Sequence, residues 1–498
     1  MSKYFIGIDV STTASKALVF DEHGTVIASK GYPHDLSTPR PLWSEQDVEQ
    51  WWDASSKALR DVLREVSPDD VAAVGLTGQM HGLTLLDKDF RPLRPAILWN
   101  DQRSAAQCQA VTEKIGAQKL YQLIGSLMLP GFTAPKIKWV QENEPDIYAQ
   151  VAHVLLPKDY VRFRLSRALV CDVADGSGIA LMDIGKRQWS DEMLAAMEIA
   201  RAWLPELCES TDVSAYVSEE GAAATGLKVG TPIVGGAGDQ PAGGVGNGVV
   251  STGQASLTIG TSGVAYAAND HYAPEPDGRL HTFCGPMHGT WFHMGVMLSA
   301  AGSLRWLHDE VLPDKSYDEL NTMAERVPRG AEGLLFAPYL SGERHPHPDP
   351  YARGSFVGLT LRHGVAHMVR AVMEGVSFGM RDQLELLRGL GVNPSEAVVS
   401  GGAANSRVWR QLTTDIMGIP LYSVNTTENG ALGAAILAAV GIGRFKDVPT
   451  ACSQMVHRMD TIHPDSAGVT EYERLYPTFR DLYPALRDTF RALAAFEG

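Results

Sequence analysis

Two stretches far apart in this chain repeat one short plan. The apolar run Ile6-Gly7-Ile8-Asp9 is followed by the hydroxyl-rich Ser11-Thr12-Thr13 and a second extended run, residues 16–20. Residues 255–260 are followed in the same way by Thr261-Ser262-Gly263 and then 264–267. Each unit is answered later by a strand ending in small residues. Residues 71–76 run into Thr77-Gly78, and Ala397-Val398-Val399 runs into Ser400-Gly401-Gly402. Two such units in the same order predict a duplicated architecture, and 498 residues are enough for two or three domains. The expected fold is α/β, two like domains with a central cleft, divided after the Gly-rich stretch 235–248 into residues 1–248 and 249–498.

The first unit predicts three antiparallel strands, with the turn Asp21-Glu22-His23-Gly24 between the second and third. A helix follows from Ser44, which can cap it, with Asp47 three residues on and Val48, Trp51, Trp52, Leu59, Val62 and Leu63 on one face. Residues 367–387 form a long helix through Met368, Val372, Val376, Met380 and Leu384, and 472–496 are helical in pattern.

Several chemistries are excluded. The net charge of −15 argues against a nucleic-acid or anionic-membrane binder. Five scattered Cys without a CxxC pair give neither a disulfide framework nor a zinc site. Asp9 interrupts the N-terminal apolar run, so no signal peptide is read, and the longest apolar stretch is too short to span a bilayer; a soluble cytoplasmic protein is expected. Gly185-Lys186 lacks the Walker partners, since Ala180 and Arg187 stand where Gly and Ser or Thr would be needed. Gly235-Gly236-Ala237-Gly238 does not meet the dinucleotide spacing.

What remains is a phosphate and carboxylate chemistry. Asp9 ends a buried strand beside Ser11, Thr12 and Thr13, where backbone N–H groups can approach phosphate oxygens and the carboxylate can hold Mg²⁺. Gly260 and Thr261 form a second such hairpin. Asp239 follows a strand and four small residues, so its carboxylate can reach a cleft and accept the proton of an attacking hydroxyl; an N-cap role with Pro241 in the first turn fits the same position. Gly401 and Gly402 leave room for a base or ribose.

Two long segments then carry a resemblance. They are Gly131-Phe132-Thr133-Ala134-Pro135-Lys136-Ile137-Lys138-Trp139-Val140-Gln141-Glu142-Asn143, and Gly354-Ser355-Phe356-Val357-Gly358-Leu359 with His367-Met368 and Ala371-Val372-Met373-Glu374. Both resemble the signatures of the FGGY carbohydrate kinases, of the actin/hexokinase-like (ribonuclease H-like) superfamily, and the likeness covers essentially the whole chain. Gln79-Met80-His81-Gly82, Trp99-Asn100-Asp101, Lys158-Asp159-Tyr160 and Ser341-Gly342-Glu343-Arg344 look most like the xylulose kinases of that family.

The resemblance implies ATP- and Mg²⁺-dependent phosphorylation of a ketopentose, D-xylulose at O5, with Asp239 as base. It implies Met80, His81 and Gln240 at the sugar. Asp9 would serve Mg²⁺, through water, and the triphosphate, with Ser11, Thr12, Thr13, Gly260 and Thr261. Gly401, Gly402 and Asn405 would hold the adenosine. The implied partners are a sugar and a nucleotide, with no nucleic acid and no membrane; a homodimer is open. Gln240-Pro241 stands where xylulose kinases usually carry Asn-Ala, and a Gln there is similar to the glycerol kinases. The alternatives are a family kinase for D-ribulose, glycerol or xylitol, and an actin-like structural ATPase.

Overall fold

In the computed structural model, which describes residues 4–494 and Phe496, three strands open the chain. Strand β1 (Tyr4–Val10) pairs antiparallel with β2 (Ala14–Phe20), and β2 pairs antiparallel with β3 (Val26–Pro33). Helix α1 (Val48–Val62) buries Val48, Trp51, Trp52, Leu59 and Val62. Its cap is Asp47, whose side chain accepts the Glu49 N–H, and not Ser44. Ser44 lies too far upstream to reach the first orphan amides; its own N–H donates to Asp101 Oδ2 at 2.7 Å. Strand β4 (Val71–Gly78) then lies parallel to β1. Because β1 and β4 are covered on both faces, they read as apolar runs without alternation. Farther along, β5 (Pro232–Val234) and the two-residue β6 (Ala237–Gly238) also pair parallel with β4, and helix α2 (Asp239–Gly246) leaves directly from β6.

The plan recurs as expected. Strand β7 (Ala255–Ile259) pairs antiparallel with β8 (Gly263–Asn269). Helices α3 (Ala301–Val311), α4 (Tyr317–Glu325) and α5 (Val365–Gly389) follow. The core face of α5 is Val372, Val376, Met380 and Leu384; Met368, in its first turn, is only half-buried. Strand β9 (Ala397–Ser400) then pairs parallel with β7, as β4 does with β1. Helix α6 (Arg407–Met417) and strand β10 (Leu421–Val424) come next, and β10 pairs parallel with β9.

The chain divides into two compact units, and these are not contiguous halves. The first comprises Met1–Ser251, Ala268–Phe292 and Glu428–His457; the second comprises Thr252–Ala267, His293–Thr427 and Arg458–Gly498. Two segments from the second half of the sequence thus belong to the first unit. The physical cause of one return is helix α7 (Asn429–Gly441), which is apolar on all sides and buried from Ala431 to Ala439. It lies on β1 and β4 with no side chain between the backbones. A methyl group on Gly7 would stand 2.0 Å from the Ala431 carbonyl oxygen, and one on Gly75 would stand 1.9 Å from that of Ala434. Glycine is required at both positions by this approach, not by a special dihedral angle. Phe5, Leu18, Phe20, Leu432, Ala435 and Ile436 share the resulting core.

Strand β11 (Arg458–Ile462) closes the second sheet against β10. The C-terminal helical segment is two helices, α8 (Ser466–Arg480) and α9 (Leu482–Ala494). Pro484 has no N–H for the Arg480 carbonyl, so one continuous helix is interrupted there. No helix among the described residues is long and apolar enough to cross a membrane.

Gly75→Ala should destabilise the protein by about 3 kcal/mol, the upper end of ordinary overpacking, because the new methyl meets backbone that cannot rotate away. A urea titration would read this as a lower midpoint. A midpoint equal to wild type would show that α7 is not held at this distance.

Candidate active site

Parallel pairing places the carboxyl ends of three strands of the first unit side by side. Asp9 of β1 is in register with Thr77 of β4, and Gly78 of β4 with Gly238 of β6. Asp239 follows as the first residue of α2, with Gly238 rather than Asp239 in the cap position. Gly238 has no room for a side chain: a Cβ there would lie 2.5 Å from Met80 Cγ and 2.9 Å from Asp175 Oδ1.

The two carboxyls share an unfavourable environment. Burial pushes Asp239 up to about 7; the Asp9 charge adds to the rise, and hydrogen bonds from the Gln240 backbone and side chain oppose it. Burial likewise pushes Asp9 up to about 6, with the Lys16 ammonium opposing and Glu428 adding. Lys16 is held by Glu428, its Nζ donating to both carboxylate oxygens at 2.9 and 3.0 Å. Asp9 is half-buried, yet its Oδ1 is sealed from solvent and has no hydrogen-bond partner. An unpaired anionic oxygen of this kind fits a hard divalent cation. Among the described residues no group of three or more His, Cys, Asp or Glu forms a metal cage.

Two of the hydroxyls in the hairpin after Asp9 are engaged by protein groups. Ser11 Oγ donates to the Ala14 carbonyl at 2.8 Å. Thr12 Oγ1 donates to Gln79 Oε1 at 3.3 Å and accepts from Trp99 Nε1 at 3.1 Å. Gln79 is fixed in turn by Gln46, and Gln46 by Trp51. The Ser11 and Thr12 hydroxyl protons are therefore committed within the protein, whereas Thr13 is exposed.

His81 sits in a left-handed backbone conformation (φ 69°) beyond the end of β4. Its carbonyl accepts from Thr133 Oγ1 at 2.9 Å and from the buried Lys136 Nζ at 3.0 Å. Its ring lies 4.9 Å from that of Phe132. The 2.9 Å contact of Nδ1 with the Gly178 carbonyl places the ring proton on Nδ1, so Nε2 is the acceptor nitrogen. Thr133 and Lys136, quoted above only as part of a signature, hold the turn that presents His81.

Sequence reasoning missed the charge cluster behind this wall. Lys158, fully buried, lies 2.6 Å from Asp159, 3.6 Å from Asp172 and 3.5 Å from Asp175. Burial raises both Asp172 and Asp175, despite the opposing Lys158 charge. Lys158-Asp159 was the available signal, but its partners lie in another segment.

In the second unit the hairpin Gly260-Thr261 is tied to the start of α3: the Ala301 N–H donates to the Gly260 carbonyl at 2.7 Å, and the Ala300 N–H to the Thr261 carbonyl at 2.9 Å. A cavity of about 490 Å³ opens here, and Gly260, Thr261, Gly402 and Asn405 are all in its wall with Tyr317 and Asn321. Gly401 is not in the wall. It turns the chain at φ 85°, where a Cβ would lie 2.6 Å from the Ile259 carbonyl group.

Two α/β units, one carrying paired carboxyls at parallel strand ends and the other a roomy cavity beside a Gly-Thr hairpin, define a sugar-kinase architecture. The chain belongs to the FGGY family of carbohydrate kinases: the N-terminal domain of that family matches residues 4–246, and its C-terminal domain matches residues 255–442. It is 40% identical over 479 residues to the xylulose kinase of Escherichia coli (strain K12), covering 96% of this chain and 98% of that protein. It is 42% identical over 476 residues to the xylulose kinase of Klebsiella pneumoniae, covering 94% and 96%. The crystal structure of the xylulose kinase of Brucella ovis superposes with a TM-score of 0.91 at 36% identity, over 98% of this chain and 100% of that one. The protein is thus a phosphotransferase with an alcohol group as acceptor; its substrates are a small sugar and ATP.

The raised Asp239 carries a stability cost with a definite sign. Its folded value of about 7 lies above the ordinary 3.8, so its contribution to stability is fully present below 3.8 and is lost as pH rises to 7. Asp239→Asn should therefore raise the thermal midpoint of the ligand-free protein at pH 8 and do so less at pH 5. An equal shift at both values would mean that Asp239 titrates normally.

Proposed function

We propose that this kinase phosphorylates D-xylulose at O5, with Asp239 as the general base. The observation that carries the reading is Asp239 itself: a carboxyl at a helix start, held near 7 by burial and by the Asp9 charge, directly after Gly238, against which Met80 packs. A base poised near neutrality takes a hydroxyl proton and returns it without a large penalty in either direction. Full-length relatives that carry the name xylulose kinase support the choice of sugar.

In this reading Asp239 accepts the O5–H proton as the oxygen attacks the γ-phosphorus of ATP. His81 Nε2 accepts from a second hydroxyl, its tautomer set by Gly178. Met80 supplies an apolar wall and Gln240 a further polar contact. The hairpin amides after Asp9 and those at Gly260-Thr261 take phosphate oxygens, and the second unit's cavity takes the nucleoside. Mg²⁺ bound at Asp9 would neutralise charge on the triphosphate.

A screen of D-xylulose, D-ribulose, xylitol and glycerol by ADP release tests the sugar. D-Xylulose should give the highest kcat/KM, rising with pH through the region near 7, and Asp239→Asn should lower kcat by about 10²-fold or more while sugar affinity stays. A higher kcat/KM for glycerol, which the glycerol-kinase-like Gln240 would favour, overturns the sugar but not the kinase. Near-wild-type kcat in Asp239→Asn removes the base.

Asp9→Ala should raise the Mg²⁺ concentration needed for half-maximal rate and leave D-xylulose binding nearly unchanged. A collapse of sugar binding, with the Mg²⁺ requirement intact, would put Asp9 at the sugar instead.

A further inference from the structure

We infer that Thr77 is a positioning residue for the divalent cation, its hydroxyl sharing with Asp9 one water of the cation's hydration shell. The inference rests on the cation binding at Asp9, as proposed above.

Thr77 and Asp9 are partners in the parallel pairing of β4 with β1, so their side chains leave the same face of the sheet. Gly430, in the first turn of α7, faces both: a Cβ there would lie 3.9 Å from Thr77 Oγ1 and 3.9 Å from Asp9 Oδ2. Thr77 is fully buried, and neither its Oγ1 nor Asp9 Oδ1 has a hydrogen-bond partner among the described residues. Two unmet buried oxygens on neighbouring strands are costly, since buried polar groups are as a rule satisfied.

The repeated plan supplies an internal comparison. In the second unit β7 and β9 pair in the same parallel sense, with Thr258 opposite Ser400. Thr258 is the next-to-last residue of β7, as Asp9 is of β1, and Ser400 precedes Gly401 as Thr77 precedes Gly78. The Thr258 and Ser400 hydroxyls satisfy each other at 2.9 Å. One pair of positions is thus closed on itself in the second unit and left open in the first. A third group is needed in the first unit, and it must donate to a carboxylate oxygen that can only accept. A phosphate oxygen fails on that count and brings like charge. A water gives one proton to Asp9 Oδ1 and the other to Thr77 Oγ1, and its lone pair remains for the cation. Gly430 keeps the place clear, because any side chain there would project toward both residues. Thr77 thus acts on the cation through the water and not by contact.

Mn²⁺ is the probe, followed by electron paramagnetic resonance with the enzyme and ADP present. Thr77→Val keeps the branched shape and removes the hydroxyl. Its Mn²⁺ dissociation constant should rise about 10-fold or more, the scale on which groups behind metal ligands act. Thr77→Ala, which cannot overpack the position, should give the same loss. Thr77→Ser should bind Mn²⁺ as wild type does, and D-xylulose affinity should be unchanged in all three. The thermal midpoint separates this role from a structural one. Without metal, Thr77→Val should melt at or above the wild-type temperature, because the hydroxyl it lacks is unsatisfied there. Wild-type Mn²⁺ affinity in Thr77→Val or Thr77→Ala overturns the inference, and so does weakened binding in Thr77→Ser or a metal-free midpoint of Thr77→Val well below wild type. Asp9→Asn tests the underlying reading. If it binds Mn²⁺ as wild type does, the cation lies elsewhere and both readings fall. If it weakens Mn²⁺ while Thr77→Val does not, only the role of Thr77 falls.

Discussion

Everything at the candidate active site depends on the register between three parallel strands. β1, β4 and β6 end level with one another, so Asp9, Thr77 and the Gly238–Asp239 step form one rim. The rim exists because β4 is shared: it pairs with β1 on one side and with β6 on the other. A slip of one residue in either pairing would turn the relevant side chain to the opposite face of the sheet. The small residues around Asp239 follow from this crowding. Gly238 must be bare because Met80 and Asp175 already fill the space where its side chain would go.

The rim is electrostatically poor ground for two acids. A sheet edge buried on both faces raises both carboxyls, and Asp239 is raised further by Asp9. Lys16 softens this for Asp9 but is itself tied to Glu428. The fold accepts this strain and surrounds it with an ordered network. Trp51, Gln46, Gln79, Thr12 and Trp99 form one chain of hydrogen bonds that sets the hairpin beside Asp9. The stable part of the site thus lies in neutral groups, and the unstable part in the two carboxyls.

Much of this is legible in the sequence. Apolar runs ending in Asp or in small residues locate β1, β4, β7 and β9, because a strand covered on both faces leaves an unmistakable run, and the duplication sets their pairing. Asp9 and Asp239 are exposed to inference for the same reason: each interrupts or follows such a run. What escapes is whatever depends on partners distant in the chain. The Thr12 hydroxyl looks available for phosphate until Gln79 and Trp99 are seen to occupy it. Lys158 gives no sign that Asp172 and Asp175 surround it. Asp47 displaces Ser44 as the α1 cap because local geometry, not composition, decides which side chain reaches the first amides. Helix α7 is the largest omission. Apolar on every side, it has no face from which its neighbours could be read.

That helix also sets the order in which the molecule can be completed. Residue 7 meets residue 431 and residue 75 meets residue 434, so the first unit is an early segment waiting for a late one. During synthesis the strands β1 and β4 emerge with a glycine-paved face that nothing already made can cover. Contacts of such long sequence separation form late and leave apolar surface open in the interval. Much of the second unit, including its hairpin and parallel partner, is translated before α7 appears, and only Arg458–Gly498 of it comes later. Assembly of the first unit is therefore gated by translation of the second, and a chain truncated before residue 429 would lack the piece that closes its own beginning.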